Sequence, residues 1–228
     1  MLGAMTLETL ELQTGPQPTA SIVVLHGLGA DGNDFVPIAQ ELDLSAVGAV
    51  RFVFPHAPVR PVTLNGGMPM RAWYDILGTD LARREDEPGL RAGIAQVQAL
   101  LDHEAARGIA PERTVLMGFS QGCAMTLLTG LRAPQRLAGL VGLSGYLPLA
   151  ATTAAERSAA NRATPVFLAH GRFDPMVTLQ RGEATRDALQ ALGQPLQWHT
   201  YPMEHSVCAE EIADLNAWLL QVLAPAAA

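Results

Sequence analysis

The chain has 228 residues, of which 49% are hydrophobic and 16% are charged, and its formal net charge is −7. This length and composition are typical of one folded domain, here predicted to span residues 1–228, and they argue against a disordered chain. The negative charge disfavours nucleic acid and anionic membranes as partners, and the absence of lysine excludes a Walker phosphate loop, a Schiff-base enzyme and a Ser–Lys dyad.

Short apolar or β-branched segments alternate with helical patterns along the chain. The predicted strands are Ile22–His26, Val50–Phe54, Thr114–Gly118, Leu137–Ser144, Pro165–His170 and Gln197–Tyr201. Most of these strands are apolar throughout, which is typical of a parallel sheet buried on both faces. The predicted helices are one that Asn33 or Asp34 caps and that runs to about Leu42, and Gly89–Arg107, Gln121–Leu131, Thr178–Leu192 and Glu210–Val222. The alternation predicts an α/β fold with a mostly parallel central sheet and helices on both faces.

Two segments stand out from this alternation. Pro55–Pro88 is long, irregular and rich in Pro and Gly. Long loops in compact domains are often functional, so we expect a substrate-pocket loop region here and not a separate domain. Leu137–Ala155 carries no charge and is long enough to suggest a membrane span, but its glycines and Pro148 favour a buried strand followed by a loop. We therefore expect no stable membrane insertion.

A candidate nucleophile lies between a predicted strand and a predicted helix. Gly118-Phe119-Ser120-Gln121-Gly122 matches the Gly-x-Ser-x-Gly elbow, in which a tight turn holds a serine hydroxyl clear of the sheet. The alternative is a tight glycine turn with an incidental serine. A rival serine, Ser144, lacks the second glycine at this spacing and is expected to end the next strand.

A serine nucleophile needs a base and an acid, which follow it in the order Ser, Asp or Glu, His in this kind of site. Asp174 comes just after Pro165–His170, and His205 just after Gln197–Tyr201. The carboxyl ends of parallel strands share one edge of a sheet, so Ser120, Asp174 and His205 are expected to converge. Alternatively, Asp174 only caps the next helix or makes an Asx turn, and His205 is an ordinary loop residue. Of the other histidines, His199 lies inside a strand and His170 precedes the acid.

The glycine run Gly27-Leu28-Gly29-Ala30-Asp31-Gly32 follows the first of these predicted strands and has two interpretations. In a hydrolase this turn supplies one backbone N–H to the oxyanion, here from Leu28, and the residue after the nucleophile, Gln121, supplies the other. The same run matches the G-x-G-x-x-G fingerprint of a nucleotide-binding oxidoreductase. That fingerprint requires an acid at the end of the second strand, and none occurs between Asp43 and Asp75, which disfavours the nucleotide interpretation.

Taken together, these motifs resemble the carboxylesterase/lysophospholipase family of α/β hydrolases that includes the acyl-protein thioesterases, with the bacterial carboxylesterase branch most similar. The resemblance covers about Ser21 to Leu220 and rests on Leu25–Gly32, Pro58–Gly67, Met70–Asp75, Gly118–Gly122, Asp174-Pro175 and His205–Cys208. It implies the α/β-hydrolase fold, a Ser120–Asp174–His205 triad, an oxyanion hole at Leu28 and Gln121, and no cofactor or metal. It also implies a small-molecule ester or acyl-thioester substrate, and it allows a homodimer.

The resemblance also places Val62–Trp73 beside the acyl pocket, with Leu64, Met68, Met70 and Trp73 as substrate-binding residues; in the alternative interpretation Met70 and Trp73 are local core. Three residues depart from the family pattern. Cys123 stands where many relatives have a second glycine, and Glu204 stands where they commonly have glycine or another small residue. Met176, predicted at the pocket rim, stands where they usually have valine. The predicted function is a carboxylesterase for short to medium acyl chains that works through an acyl-enzyme. An acyl-protein thioesterase, a lysophospholipase and a non-catalytic binding module are the alternatives.

Two further expectations concern location. Cys123 and Cys208 are too few for a disulfide framework and fit a reducing compartment. Met1 to Pro16 has neither a basic start nor an apolar run, so no signal peptide is expected. The sequence therefore predicts a cytoplasmic protein.

Overall fold

The computed structural model describes residues 7–78 and 84–224. Within these residues the strands are β1 (Thr9–Gln13), β2 (Ala20–Leu25), β3 (Val50–Pro55), β4 (Val59–Val62), β5 (Met68–Arg71), β6 (Thr114–Phe119), β7 (Gly139–Leu143), β8 (Val166–Gly171) and β9 (Leu196–Tyr201). The helices are α1 (Val36–Glu41), α2 (Glu87–Ala106), α3 (Gln121–Gly130), α4 (Ala150–Glu156), α5 (Leu179–Ala191) and α6 (Ala209–Val222). All six predicted strands and all five predicted helices are present, with ends that shift by a few residues.

A seven-stranded sheet in the order β1-β3-β2-β6-β7-β8-β9 forms the centre of the molecule. All neighbouring strands pair in parallel except β1, which pairs antiparallel with β3 at one edge. In the register of the three central strands Leu25 of β2 lies opposite Gly118 of β6, and Gly118 lies opposite Gly142 of β7. The predicted mostly parallel sheet is therefore confirmed.

Two hydrophobic clusters cover the two faces of this sheet. Side chains of β2 alternate between them, so that Val23 belongs to one cluster and Ile22 to the other. The first cluster packs under α2, α3 and α5, and the second under α1 and α6. The strands β2, β3, β7 and β8 are buried along their whole length, and β6 is buried except at its last residue, which explains why these strands read as continuous apolar runs. Helices on both faces, as predicted, leave the carboxyl edge of the sheet free for the loops that carry the candidate site.

Pro55–Pro88 is more ordered than the sequence predicts, although its residues 79–83 lie outside the described part. β4 and β5 form an antiparallel hairpin that is separate from the main sheet, with Pro61 opposite Pro69. The segment Leu137–Ala155 forms β7 and the start of the short helix α4, where the sequence predicts a strand followed only by a loop. α1 begins at Val36, so neither Asn33 nor Asp34 caps it. No helix in the described residues is both long enough and apolar enough to cross a membrane.

Candidate active site

Ser120 lies at the end of β6, in a backbone conformation that few non-glycine residues adopt. Its φ is 56° and its ψ is −115°, and it precedes the first turn of α3. A Cβ at position 118 would collide with the carbonyl oxygen of Gly122, and a Cβ at position 122 would collide with that of Leu25. Both glycines are therefore required by close backbone approach, and the strand-to-helix turn holds the Ser120 hydroxyl above the sheet.

The structure brings Ser120, Asp174 and His205 together at the carboxyl edge of the sheet. Nε2 of His205 lies 2.9 Å from Oγ of Ser120, and Nδ1 of His205 lies 2.6 Å from Oδ2 of Asp174. The imidazole also packs on Phe119, with ring centroids 4.7 Å apart. With Nδ1 protonated toward the carboxylate, Nε2 is free to accept the serine proton, which is the arrangement needed to activate a serine.

The carboxylate of Asp174 is held in place by its own turn. Its Oδ1 accepts hydrogen bonds from the backbone N–H groups of Met176 and Val177, at 2.8 and 2.9 Å. Asp174 therefore does form the Asx turn of the alternative interpretation, but it does so through Oδ1, while Oδ2 faces His205. His170 lies behind the pair, fully buried, and burial lowers the pKa of its imidazole, which favours the neutral form.

The rival residues do not reach this group. Ser144 also has a positive φ of 48°, but its Oγ is buried and has no hydrogen-bond partner in the described chain. His199 stacks on Phe167 and lies 3.5 Å from Asp214. His26 accepts a hydrogen bond from Ala57 N–H and so supports the glycine loop.

Leu28 and Gln121, whose backbone N–H groups are predicted to bind the oxyanion, both lie beside Ser120. Gln121 is the first residue of α3, and Leu28 follows β2 in the glycine loop. Within residues 7–78 and 84–224 neither N–H donates to a protein acceptor. Both residues line the cavity that contains Ser120. The two donors are therefore available to a substrate oxygen.

Backbone packing accounts for the glycines of the G-x-G-x-x-G run. Gly29 has a φ of 76°, and a Cβ at position 32 would lie 2.6 Å from the carbonyl oxygen of Phe54. α1 begins only at Val36 and has six residues, so it does not place a long helix at the glycines for a pyrophosphate to bind. These contacts give the run a structural role without a nucleotide.

A cavity of about 650 Å³ opens at Ser120. Its wall combines residues of the elbow, the glycine loop, the β4–β5 hairpin, the loops after β5 and β7, the Asp174 turn and the start of α5. They include Leu28, Leu64, Tyr74, Ile76, Tyr146, Met176 and Arg181. Leu64 and Met176, both predicted to bind substrate, lie on this wall and are 43% and 72% exposed.

The other predicted pocket residues lie elsewhere, which corrects the prediction for them. Trp73 is 0% exposed, with its backbone N–H bonded to Gln121 Oε1 and its indole N–H bonded to His26 O, so it belongs to the core as the alternative held. Met68 is 62% exposed on the β4–β5 hairpin and is not part of the wall. Met70 is half-buried on the same hairpin, where its sulfur accepts from Asn65 Nδ2. These residues do belong to a segment that borders the cavity, Val62–Trp73, but the direction of each side chain depends on tertiary packing, which the sequence does not show.

Several residues of the wall were not predicted. The hydroxyls of Tyr74 and Tyr146 are hydrogen-bonded at 2.6 Å although they are 72 residues apart in the chain. Burial is the main cause that raises the pKa of both phenols. The sequence could have indicated Tyr74, because it follows Trp73 in the segment that resembles the family. Nothing in the sequence indicates Arg181, because a lone arginine at the start of a helix is usually a surface residue.

Two of the three departures from the family pattern, Cys123 and Glu204, have different surroundings. The Cys123 thiol is fully buried and packs against Gly142 and Gly145, and burial raises its pKa to about 12, so it is an inert core thiol. Glu204 is exposed, and within the described residues its carboxylate makes no hydrogen bond or ion pair with His205.

The residues described contain no group of three or more side chains suited to hold a metal ion.

Comparison with known proteins agrees with the motifs. The sequence profile of the phospholipase/carboxylesterase family matches residues 9–223. Acyl-protein thioesterase 1 of Mycosarcoma maydis is 43% identical, covering 95% of this chain and 98% of the relative, and that of Gibberella zeae is 40% identical, covering 92% and 93%. The crystal structure of Zea mays acyl-protein thioesterase 2 superposes with a TM-score of 0.85 at 30% identity, covering 95% of this chain and 99% of that one.

Proposed function

Because the chain belongs to the phospholipase/carboxylesterase family of α/β hydrolases, we propose that it hydrolyses acyl thioesters and carboxylic esters through an acyl-enzyme on Ser120. The observation that carries the proposal is the hydrogen-bonded series from Ser120 Oγ to His205 and on to Asp174. The uncommon backbone of Ser120 supports it further, since strained non-glycine residues cluster at functional sites.

In the proposed mechanism, His205 Nε2 takes the proton of Ser120 as the hydroxyl oxygen attacks the substrate carbonyl. Asp174 holds the imidazole in the required tautomer and stabilises the imidazolium that forms. The backbone N–H groups of Leu28 and Gln121 donate to the oxyanion, and removal of one such donor elsewhere costs roughly 10² to 10³ in rate. His205 then protonates the leaving alcohol or thiol, and water repeats the sequence to release the acid.

Acyl thioesters stand first among the proposed substrates, because the similar proteins of Mycosarcoma maydis and Gibberella zeae are acyl-protein thioesterases. Esters with a short to medium acyl chain stand second, supported by apolar cavity residues such as Leu64 and Ile76. The homodimer and the cytoplasmic location stay predictions from the sequence.

The test compares Ser120→Ala with Ser144→Ala, which removes a hydroxyl that has no hydrogen-bond partner among the described residues and does not bond His205. We expect Ser120→Ala to lose hydrolysis of a p-nitrophenyl ester and of an acyl-thioester substrate while its circular dichroism and melting temperature stay native-like. Ser144→Ala should keep most of the activity on both substrates. Full activity of Ser120→Ala would contradict the proposal.

Labelling with a fluorophosphonate separates the enzyme from the non-catalytic binding module. Only an activated serine reacts fast, so intact-mass analysis should show one adduct on the wild type and none on Ser120→Ala. A wild type that is folded but stays unlabelled would favour the binding module.

A further inference from the structure

Arg181 lies on a wall shared by two cavities. Beside the 650 Å³ cavity at Ser120 lies a second cavity of about 540 Å³, lined by residues of α4, α5 and the loop after β7. Tyr146 and Arg181 line both of them. The guanidinium therefore borders the space in which the proposed reaction occurs and also a space beyond it.

The guanidinium of Arg181 is held by an aromatic ring and not by a carboxylate. Its central carbon lies 3.9 Å from the centroid of the Tyr146 ring, and the hydroxyl of that ring is fixed by Tyr74. Within residues 7–78 and 84–224 no carboxylate oxygen lies within 4.0 Å of its nitrogens. By contrast, Arg186 on the same helix pairs with Asp187 at 2.8 Å. The charge of Arg181 is thus positioned but not neutralised by a contact in this part of the chain.

The carboxylates that border the two cavities make no direct ion pair with Arg181 in the described residues, although its charge partly offsets the rise that burial causes in the pKa of Glu85. Glu85 lines the second cavity, where both of its oxygens accept from the backbone N–H of Leu149 at 3.1 and 3.2 Å. Asp34 lines the catalytic cavity from the glycine loop, on a different element from Arg181. Each carboxylate belongs to another part of the wall, and in the described residues neither forms an ion pair with the guanidinium within 4.0 Å.

The end of α5 adds to the positive potential at this place. Arg181 lies in the first turn of this 13-residue helix, and that turn has no acidic residue. The side chain of Thr178, the N-cap, makes no capping hydrogen bond, and Val177 and Thr178 also line the catalytic cavity. The positive end of the helix dipole therefore faces the same region as the guanidinium.

We propose that Arg181 is a specificity-determining residue that selects substrates bearing an anionic group, a carboxylate or a phosphate, in addition to the ester or thioester bond. Guanidinium binds both anions through paired N–H donors, and the pairing is strong where water is partly excluded. A purely apolar acyl group would leave this cation unpaired in the cavity. The inference rests on the proposed function, because the selected molecule is a substrate of the Ser120 reaction.

The test uses two matched pairs of esters. In the first, the anion is on the acyl part: the p-nitrophenyl monoester of glutaric acid against p-nitrophenyl pentanoate. In the second, it is on the leaving group: 4-butyryloxybenzoate against phenyl butyrate. For each pair kcat/KM is measured in the wild type, Arg181→Gln, Arg181→Lys and Arg186→Gln. The ratio within a pair does not depend on the fraction of folded enzyme, so a loss of stability in a variant does not change it.

We expect the charged-to-neutral ratio of one pair or both to fall about 10- to 100-fold in Arg181→Gln, the range that a hydrogen bond to a charged group contributes. Arg181→Lys should keep part of the ratio, and Arg186→Gln, which removes the same charge from the same helix outside the cavities, should keep all of it. The pair that responds identifies the side of the substrate that carries the anion. Ratios that are unchanged in Arg181→Gln, or that fall equally in Arg186→Gln, would overturn the inference while hydrolysis of the neutral esters upholds the proposed function. A wild type that hydrolyses no ester or thioester would overturn both.

Discussion

At the scale of single residues, Glu211 has a carboxyl group that is buried without a hydrogen-bond partner in the described residues. It lies in the first turn of α6, is 0% exposed, and neither of its carboxylate oxygens has a hydrogen-bond partner in the described chain. Burial raises the pKa of this carboxyl to about 8 from an ordinary value of 4.5. A buried carboxyl that keeps its proton near neutral pH makes folding depend on pH.

The sign of that dependence follows from the protons bound. Between about pH 4.5 and pH 8 the folded chain keeps a proton on Glu211 that the unfolded chain has lost, so the free energy of unfolding falls as the pH rises. Glu211→Gln cannot ionise, and its stability relative to the wild type should rise by up to about 1.4 kcal/mol per pH unit across this range. Thermal unfolding of both proteins at pH 5 and pH 8.5 measures the effect, with Glu210→Gln, an exposed neighbour, as the control. An equal difference at both pH values would contradict it.

At the scale of elements, the side chain of Gln121 connects the segment after β5 to α3. Oε1 of Gln121 accepts from Trp73 N–H at 2.8 Å, and its Nε2 donates to Tyr74 O at 2.8 Å. All of these groups are buried, so the segment that supplies Tyr74 and Ile76 to the cavity is fixed to the first residue of α3. Gln121 therefore has a structural task in addition to its proposed oxyanion N–H.

Gln121→Ala should separate these two tasks. The backbone N–H stays, but the N–H of Trp73 and the carbonyl of Tyr74 lose their buried partners, each at about 1–3 kcal/mol. We expect a loss of about 2–4 kcal/mol in the free energy of unfolding by denaturant, together with a lower kcat on a p-nitrophenyl ester. Gln190→Ala, an exposed glutamine on α5, serves as the matched control. A variant as stable as that control would show that the two bonds contribute little.

Five of the six strands that the sequence predicts have side chains in one uniform, buried environment. β2, β3, β6, β7 and β8 are buried on both faces, and their apolar runs are unmistakable. β1 is a short edge strand that contains Glu11. The β4–β5 hairpin contains Pro61 and Pro69, and proline in a sequence argues against a strand. These three strands were missed because their pairing depends on distant parts of the chain.

The same distinction applies to the candidate site. The convergence of Ser120, Asp174 and His205 was predictable because each follows a recognisable strand and parallel strands share one edge, and the three do lie within hydrogen-bond distance. Tyr146 and Arg181 reach the cavity from two elements whose relative position no local pattern encodes. Trp73 shows the opposite error, since a large apolar residue in a pocket segment can equally well face the core.

At the scale of the whole molecule, the packing of α3 against the sheet can be followed through a single thiol. Cys123 lies on α3 between that helix and β7, is 0% exposed, and has a pKa raised to about 12 by burial. Cys208 is only partly buried, at the N-cap of α6. Cys123 therefore becomes reactive only when the helix separates from the sheet.

We expect a disulfide reagent such as 5,5′-dithiobis(2-nitrobenzoate) to modify at most one thiol of the native protein, Cys208. The second thiol should react only as guanidinium chloride unfolds the chain, with a rate that follows the loss of circular dichroism. Cys208→Ser, which leaves Cys123 as the sole thiol, gives the clean measurement. Modification of Cys123 in the native protein at the rate of Cys208 would contradict the prediction.

The backbone at Ser120 has a consequence for the evolution of the chain. A non-glycine residue with a φ of 56° and a ψ of −115° costs the folded state of the order of 1–3 kcal/mol, and glycine at this position would avoid most of that cost. The domain would accordingly be more stable without its proposed nucleophile than with it. Selection for stability favours glycine at this position and selection for activity keeps serine, so a lineage released from the need for the activity would be expected to change here early.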